Sequence, residues 1–297
     1  MFVVAYRKIF YTLSIVLFAF SIFSVAHWGL NFGIDFKGGS IVEASYKTAR
    51  PSQVEVMAIV ASKGLTDAQV REAGADSFII RTRTLTEAEH QSLAIALTSK
   101  GAEIKRFDSV GPILGQELQS KAIWSVVLVM LAIVLFITFA FRKVSEPVAS
   151  WKYGIVAIIA LLHDVFIPTG IFAFLGRNGG YEIDALFVTA ILVILGFSVH
   201  DTIVVFDRTR ENLRTNSNSK KSFETIVGES VSQTFSRSIN TSLTTILALV
   251  ALYIFGPEST RLFAAALMIG IAIGTYSSIF IGSPLLVTLQ KWQNKVT

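Results

Sequence analysis

The chain has 297 residues, 52% of them hydrophobic and only 16% charged, with a formal charge of +5. Soluble domains carry about 25% charged residues, so this balance, with a mean hydropathy of +0.59, excludes an ordinary soluble domain and points to a membrane protein. The absence of cysteine excludes a disulfide framework and a thiolate metal site.

In chain order, apolar runs at 10–29, 121–141, 153–175, 184–206, 241–256 and 261–287 each approach the length needed to cross a hydrocarbon core of about 30 Å. Six spans are predicted, the fifth being short and rich in threonine. The first, "RKIFYTLSIVLFAFSIFSVAHWG", combines basic residues, an apolar run and a small-residue "SVA". It reads either as a cleaved signal peptide or as a retained signal-anchor. Its apolar run exceeds the usual 7–15 residues of a signal peptide, which favours the anchor.

Between the first two spans, residues 30–118 carry 10 Lys/Arg and 11 Asp/Glu, and the periodicity becomes that of a small α+β domain. "SIVEASY" (40–46) alternates as a strand. "RPSQVEVMAIVASKG" predicts a helix with Pro51 or Ser52 at its start and Gly64 at its end. "AQVREAG" and "DSFIIRTR" read as two strands joined at Gly74. "TEAEHQSLAIALTSKG" predicts a second helix with Thr86 as N-cap and Glu89 three residues on. "EIKRFDSV" is the last strand. The order β-α-β-β-α-β is the ferredoxin-like pattern. The polar stretch 207–238 is expected to leave the membrane helically, break at "NSNSKK", and return as a cytoplasmic amphipathic helix that either lies on the membrane surface before the fifth span or is a connector packed on the bundle.

The basic residues set the expected orientation. With the N-terminus cytoplasmic, the inside segments collect Arg7, Lys8, Arg142, Lys143, Lys152, Arg208, Arg210, Arg214, Lys220, Lys221, Lys291 and Lys295, while the short outside loops keep Arg177 and Arg261. The division expected is therefore 1–29 as N-terminus and first span, 30–118 as an exterior domain, and 119–297 as a five-helix bundle.

Apart from end residues, the spans contain His163, Asp164, His200 and Asp201 as ionisable groups. An Asp at a helix centre costs about 2.5–3.5 kcal/mol to insert, so such a residue faces the bundle interior or a water path. Asp201 reads as a proton-carrying carboxylate, against a structural role in bonding a neighbouring helix. For Asp164 the two readings stand level. Arg237, at the mouth of the fifth span, either pairs with ionised Asp201 or is a positive-inside anchor. The "HD" pairs at 163–164 and 200–201 are a poor basis for a metal hydrolase, and "FSVH" before Asp201 is not the setting of an intramembrane aspartyl protease. "GIAIG" (270–274) favours close helix contact, and "SLTT" (242–245) offers hydroxyls between helices.

Several stretches together resemble the SecF family of protein-export membrane subunits: "NFGIDFKGGS" (31–40), "GFSVHDTIVVFDRTRENLR" (196–214), "SVSQTFSRSINTSLTT" (230–245) and "FAAALMIGIAIGTYSSIFIGSPL" (263–285). The resemblance implies an RND-like half bundle of six spans with a small ferredoxin-like α+β periplasmic domain, in the bacterial inner membrane. It implies a heteromer with SecD, association with the SecYEG translocon and YajC/YidC-type factors, unfolded preproteins as substrates, contact with membrane lipid and none with nucleic acid. No enzymatic activity or cofactor is implied, and the proton-motive force is the energy source. The family's proton-carrying Asp maps onto Asp201 and its functional Arg onto Arg237, while Asp164 and His200 are further candidates. The family usually has Tyr and Asn where this chain has Phe197 and His200, so His200 either joins the proton path or replaces an Asn hydrogen bond. Leu262 likewise follows Arg261 where the family often has Gly. Gly33, Asp35, Phe36, Gly38 and Gly39 form the periplasmic signature, read either as a turn built by its glycines or as an interface. Two other readings of the whole chain are half of an RND-type small-molecule or lipid transporter, and a structural stabiliser of a membrane complex.

Overall fold

The structure is a computed structural model that describes residues 2–47, 50–141, 150–216 and 221–296. Arg142, Lys143 and Lys220, counted above among the inside basic residues, lie outside the described residues. The elements run α1 (Phe2–Ala5), α2 (Arg7–Trp28), α3 (Ile34–Lys37), β1 (Gly39–Tyr46), α4 (Gln53–Ser62), β2 (Gln69–Ala73), β3 (Ser77–Thr82), α5 (Glu87–Thr98), β4 (Ala102–Val110), α6 (Pro112–Ala140), α7 (Ser150–Gly179), α8 (Ala185–Thr215), α9 (Phe223–Phe255), α10 (Glu258–Ser277), a π-turn (Ser278–Gly282) and α11 (Ser283–Val296). The chain divides into two compact units. One holds residues 32–123 and 182–185, and the other holds the rest.

The smaller unit is an antiparallel sheet of order β2-β3-β1-β4 carrying α4 and α5. That order is the ferredoxin-like arrangement expected from the β-α-β-β-α-β reading. Val42 faces Ile80 in β3 and Phe107 in β4, and a bulge lies where Glu43 faces Arg106 and Ala44 faces Ile104. The alternation of β1 sends Val42, Ala44 and Tyr46 into a core with Val56, Val60, Phe78, Ile80, Leu93 and Leu97. Both helices start at complete capping boxes, Ser52 with Glu55 and Thr86 with Glu89, so two orphan N–H groups are satisfied at each start.

Six helical segments among the described residues are long and apolar enough to cross a membrane: Arg7–Trp28, Pro112–Ala140, Trp151–Gly179, Ala185–Thr215, Phe223–Phe255 and Glu258–Trp292. α2 packs on α7, and α10 packs on both α7 and α9. Small residues allow the closest crossings. A Cβ on Gly170 of α7 would lie 2.3 Å from the Ser21 Cα of α2, and one on Gly270 of α10 would lie 2.0 Å from Ile194 Cδ1 of α8. Tyr153, Phe206 and Phe141 pack together as a ring cluster, with Tyr153 edge-on to Phe206 at 5.2 Å between centroids.

Two features differ from the expectations above. The separate surface helix followed by a short fifth span is instead one unbroken helix of 33 residues, α9. Its hydroxyls bond backward along the same helix, Thr241 to the Arg237 carbonyl, Ser242 to that of Ser238 and Thr245 to that of Thr241, which hides their polarity from lipid. The sixth span is not uniformly α-helical. Pro284 has no N–H to return to the Phe280 carbonyl, and the chain widens into a π-turn just before it, where the Ser283 hydroxyl donates to the Ser278 carbonyl at 3.0 Å.

Candidate functional site

The site is built where α7 brings a carboxylate to the hydroxyls of α8 and α10, with those of α9 alongside. α8 presents Ser198, Asp201, Thr202 and Val205 inward, and all four are buried, as the i, i+3, i+4, i+7 spacing of one helical face requires. Asp201 is 3% exposed. Its Oδ2 accepts from the Thr275 hydroxyl of α10 at 3.4 Å, and Thr275 shares a 2.5 Å hydrogen bond with Ser242 of α9. The buried Ser238 hydroxyl lies beside the carboxylate, and His200 and Arg237 are the charges within its reach.

The sequence also admits a direct Asp201–Arg237 ion pair, which is not formed here. Ser238 is buried, and Arg237, one position back on α9, is exposed. His200 is exposed as well, one position before Asp201 and turned from the interior. Of the four candidates, then, the structure buries Asp201 and Asp164 and leaves His200 and Arg237 on the surface of the unit.

Asp164 of α7 is 0% exposed. Its Oδ2 accepts from Ser198 at 2.5 Å and from Ser277 at 2.7 Å, and its Oδ1 faces His163 Nδ1 at 2.9 Å. The His163 ring lies over Tyr276 with centroids 6.2 Å apart. Thr202 and Ser278 share a 2.8 Å hydrogen bond beside this group, and Ser278 also donates to the Ser198 carbonyl at 3.1 Å. Chemically this is two buried carboxylates set in hydroxyls, which can donate or accept as a carboxylate gains or loses its proton. Ser198, Thr202, Thr275, Ser277 and Ser278 are the residues that sequence reasoning missed. Their one signal was the "GIAIG" spacing. Gly274 brings α10 so near α8 that a Cβ there would sit 2.9 Å from Ser198 Cβ.

The signature after the first span lies in the smaller unit, where it is tied to residues 182–185. Gly33 N–H donates to the Ile183 carbonyl at 2.9 Å, and Phe32 and Ile183 form a parallel bridge. Asp35 accepts from the Ala185 N–H at 2.8 Å, at the first residue of α8, where an anion meets the unsatisfied N–H groups of a helix start. Phe36 is buried. Gly38 and Gly39 have φ of +79° and +135°, and a Cβ would lie 2.8 Å from Pro112 Cα at the first and 2.8 Å from the Thr82 carbonyl at the second, so the turn itself demands both glycines. Nearby, Arg81 and Glu182 pair at 3.0 Å. Burial pushes the Glu182 carboxyl up from its ordinary value, and the Arg81 charge pulls it partly back.

Among the described residues no group of three or more His, Cys, Asp and Glu is placed to hold a metal ion.

The comparisons with known proteins agree along nearly the whole chain. Residues 91–292 match the family described as "Protein export membrane protein SecD/SecF, C-terminal", and residues 23–49 match the "SecD/SecF GG Motif". The "Protein translocase subunit SecF" of Thermobaculum terrenum is 44% identical over 309 residues, covering 99% of this chain and 94% of that protein. That of Anaerolinea thermophila is 38% identical, covering 97% and 94%. The crystal structure of SecDF, a translocon-associated membrane protein from Thermus thermophilus, superposes with a TM-score of 0.83 at 30% identity. The match covers 98% of this chain and 38% of that one. A six-span bundle, a glycine-built turn after the first span and full-length likeness to curated relatives converge, and the chain belongs to the SecD/SecF family of protein-export membrane proteins.

Proposed function

We propose that this multi-pass membrane protein is a SecF-type subunit of the protein translocase. With a SecD partner it uses the proton-motive force to promote late export of preproteins through SecYEG. Asp201 carries the proton. The single observation behind this reading is Asp201 itself, a carboxylate 3% exposed within a membrane bundle, bonded to a hydroxyl rather than to a cation.

Protonated, Asp201 is one more neutral hydrogen-bonding group among Thr275, Ser238 and Ser242. Ionised, it is a buried charge, and the compensation within its reach comes from His200 on its own helix first and from the Arg237 charge on α9 second. The two states therefore favour different placements of α9 against α8, which is the condition for coupling protonation to movement. One charge crossing the membrane field yields about 2.3 kcal/mol per 100 mV, enough to bias such an equilibrium more than tenfold.

The termini are cytoplasmic in this reading, and the ferredoxin-like domain faces the periplasm, where it assists the partner with the emerging chain. YajC/YidC-type factors join the same assembly. The role is that of a transport subunit without enzymatic activity or cofactor.

The test is preprotein export in vesicles carrying Asp201→Asn with the SecD partner, with and without a proton gradient. Protein level and SecD co-purification are measured in the same samples. Normal assembly with loss of the gradient's acceleration is expected. A full gradient response in an assembled variant overturns the assignment of Asp201.

A further inference from the structure

Two interruptions of the helical ladder meet at Asp164. Pro168 lies four residues after it inside α7 and has no N–H for the Asp164 carbonyl. Across the bundle, Ser277 is the last residue of α10 before the π-turn. Between these two irregular places the Asp164 carboxylate takes both serine hydroxyls on Oδ2 and His163 on Oδ1.

The register of the two serines matters. Ser198 stands three residues before Asp201 on α8, so the two share a face one turn apart. Ser277 stands two residues after Thr275 on α10. Asp164 thus grips the neighbours of the two groups that meet in the Thr275–Asp201 hydrogen bond. Gly274 makes the grip possible by letting α10 approach Ser198.

We infer that Asp164 is a positioning residue for Asp201. It fixes α8 against the π-turned end of α10, so that the Thr275 hydroxyl stays on the Asp201 carboxylate. This rests on the reading of Asp201 as the proton-carrying group. The charged and titratable groups within electrostatic reach of Asp201 are His200 on its own helix and Arg237 on α9, both exposed and turned away from it. α10 supplies only the Thr275 hydroxyl, and α7 supplies His163 and Asp164 beyond Ser198. Asp164 acts on Asp201 through the placement of α8 and α10, with no bond between the two carboxylates.

The test uses the full chain with its SecD partner in vesicles and dicyclohexylcarbodiimide as probe. The reagent takes the proton of a protonated carboxyl and adds its oxygen, and rearrangement leaves a stable N-acylurea that mass spectrometry locates at Asp201. The readout is the pH of half-maximal labelling at Asp201 in wild type, Asp164→Asn, Ser277→Ala and Ser277→Thr. Asp164→Asn keeps the shape and loses one acceptor oxygen, and Ser277→Ala loses one hydroxyl. Both are expected to move the midpoint in the same direction by about one pH unit, the size of a lost or displaced hydrogen bond at a buried carboxyl. Ser277→Thr, which keeps the hydroxyl, is expected to leave it in place. An unmoved midpoint in both Asp164→Asn and Ser277→Ala overturns the inference. If Asp164→Asn does not accumulate, Ser277→Ala decides alone. Absence of labelling at Asp201 at every pH in wild type removes the proton reading and this inference with it, whereas labelling with an unmoved midpoint removes this inference only.

Discussion

Ile194 occupies the space that a side chain at residue 270 would need: a Cβ on Gly270 would lie 2.0 Å from Ile194 Cδ1, and Ile194 is itself fully buried. Gly270→Ala is therefore expected to lose about 1–3 kcal/mol by overpacking. Gly196 has nothing within 4 Å of a built Cβ, and Gly196→Ala is expected to be neutral or stabilising by up to about 1 kcal/mol through helix propensity. Unfolding of the two variants in detergent checks the contrast. Equal effects would show that α8 and α10 do not cross as described.

Gly39→Ala meets two obstacles at once, a φ of +135° and a backbone carbonyl, that of Thr82, 2.8 Å from the new methyl group. Backbone cannot swing aside as a flexible side chain does, so the start of β1 is expected to unpair from β3. Gly111→Ala, with open space around it, is the control. Amide hydrogen exchange at Ser40–Val42 distinguishes them, and unchanged protection in Gly39→Ala would refute the packing account of the paired glycines.

Thr275 holds Asp201 with one hydrogen bond and Ser242 with another. Thr275→Val keeps the shape and takes the hydroxyl from Asp201, at a cost of about 1–3 kcal/mol for a buried polar group left short of a bond, while Ser242 keeps its bond to the Ser238 carbonyl. Thr275→Ser keeps the hydroxyl and is expected to retain most of the stability. Thermal unfolding of the two variants side by side is the measurement, and a valine variant as stable as the serine variant would contradict it.

The Glu89 carboxyl is held down at about 2 by hydrogen bonds from Arg83 and from the backbone and hydroxyl of Thr86. The ordinary value is 4.5, so its contribution is fully present above that pH and is lost as the pH falls towards about 2. Hydrogen exchange in the first turn of α5 is expected to accelerate over that window beyond the intrinsic pH effect. Glu89→Gln should abolish the acid-dependent part, and an identical acid response in the variant would show that the capping box does not depend on the charge.

The ferredoxin-like unit was legible because its signals are local. Thr86 and Glu89 announce a helix start, and the alternation of "SIVEASY" announces a half-buried strand, whatever lies across the sheet. The fifth span was partly hidden, because Ser and Thr are counted as polar when read one at a time. In α9 they spend their hydroxyls on the carbonyl one turn back, so the helix runs on through them. Asp164 and Asp201 stood out as charges in apolar runs, but nothing in the sequence ties Asp164 to Ser198 and Ser277. Those contacts exist only once α7, α8 and α10 cross, and a serine in a membrane span carries no charge to mark it. Residue types near the ends of two spans admit either an Asp201–Arg237 pair or a surface anchor at Arg237. The phase of α9 decides the matter instead, turning Ser238 inward and Arg237 out.

The π-turn at Ser278–Gly282 means that the sixth span carries one residue more than a regular helix of the same rise would hold. One extra residue is a phase offset of about 100° at 3.6 residues per turn, so the two halves of this span are keyed separately. Thr275 and Ser277 face the carboxylates from the first half, and Thr288, bonded to Tyr11 at 3.1 Å, engages α2 from the second. A deletion of one residue within 278–282 would remove that offset and rotate one half of the span away from its partners, so the length of this segment is as much a part of the site as its side chains.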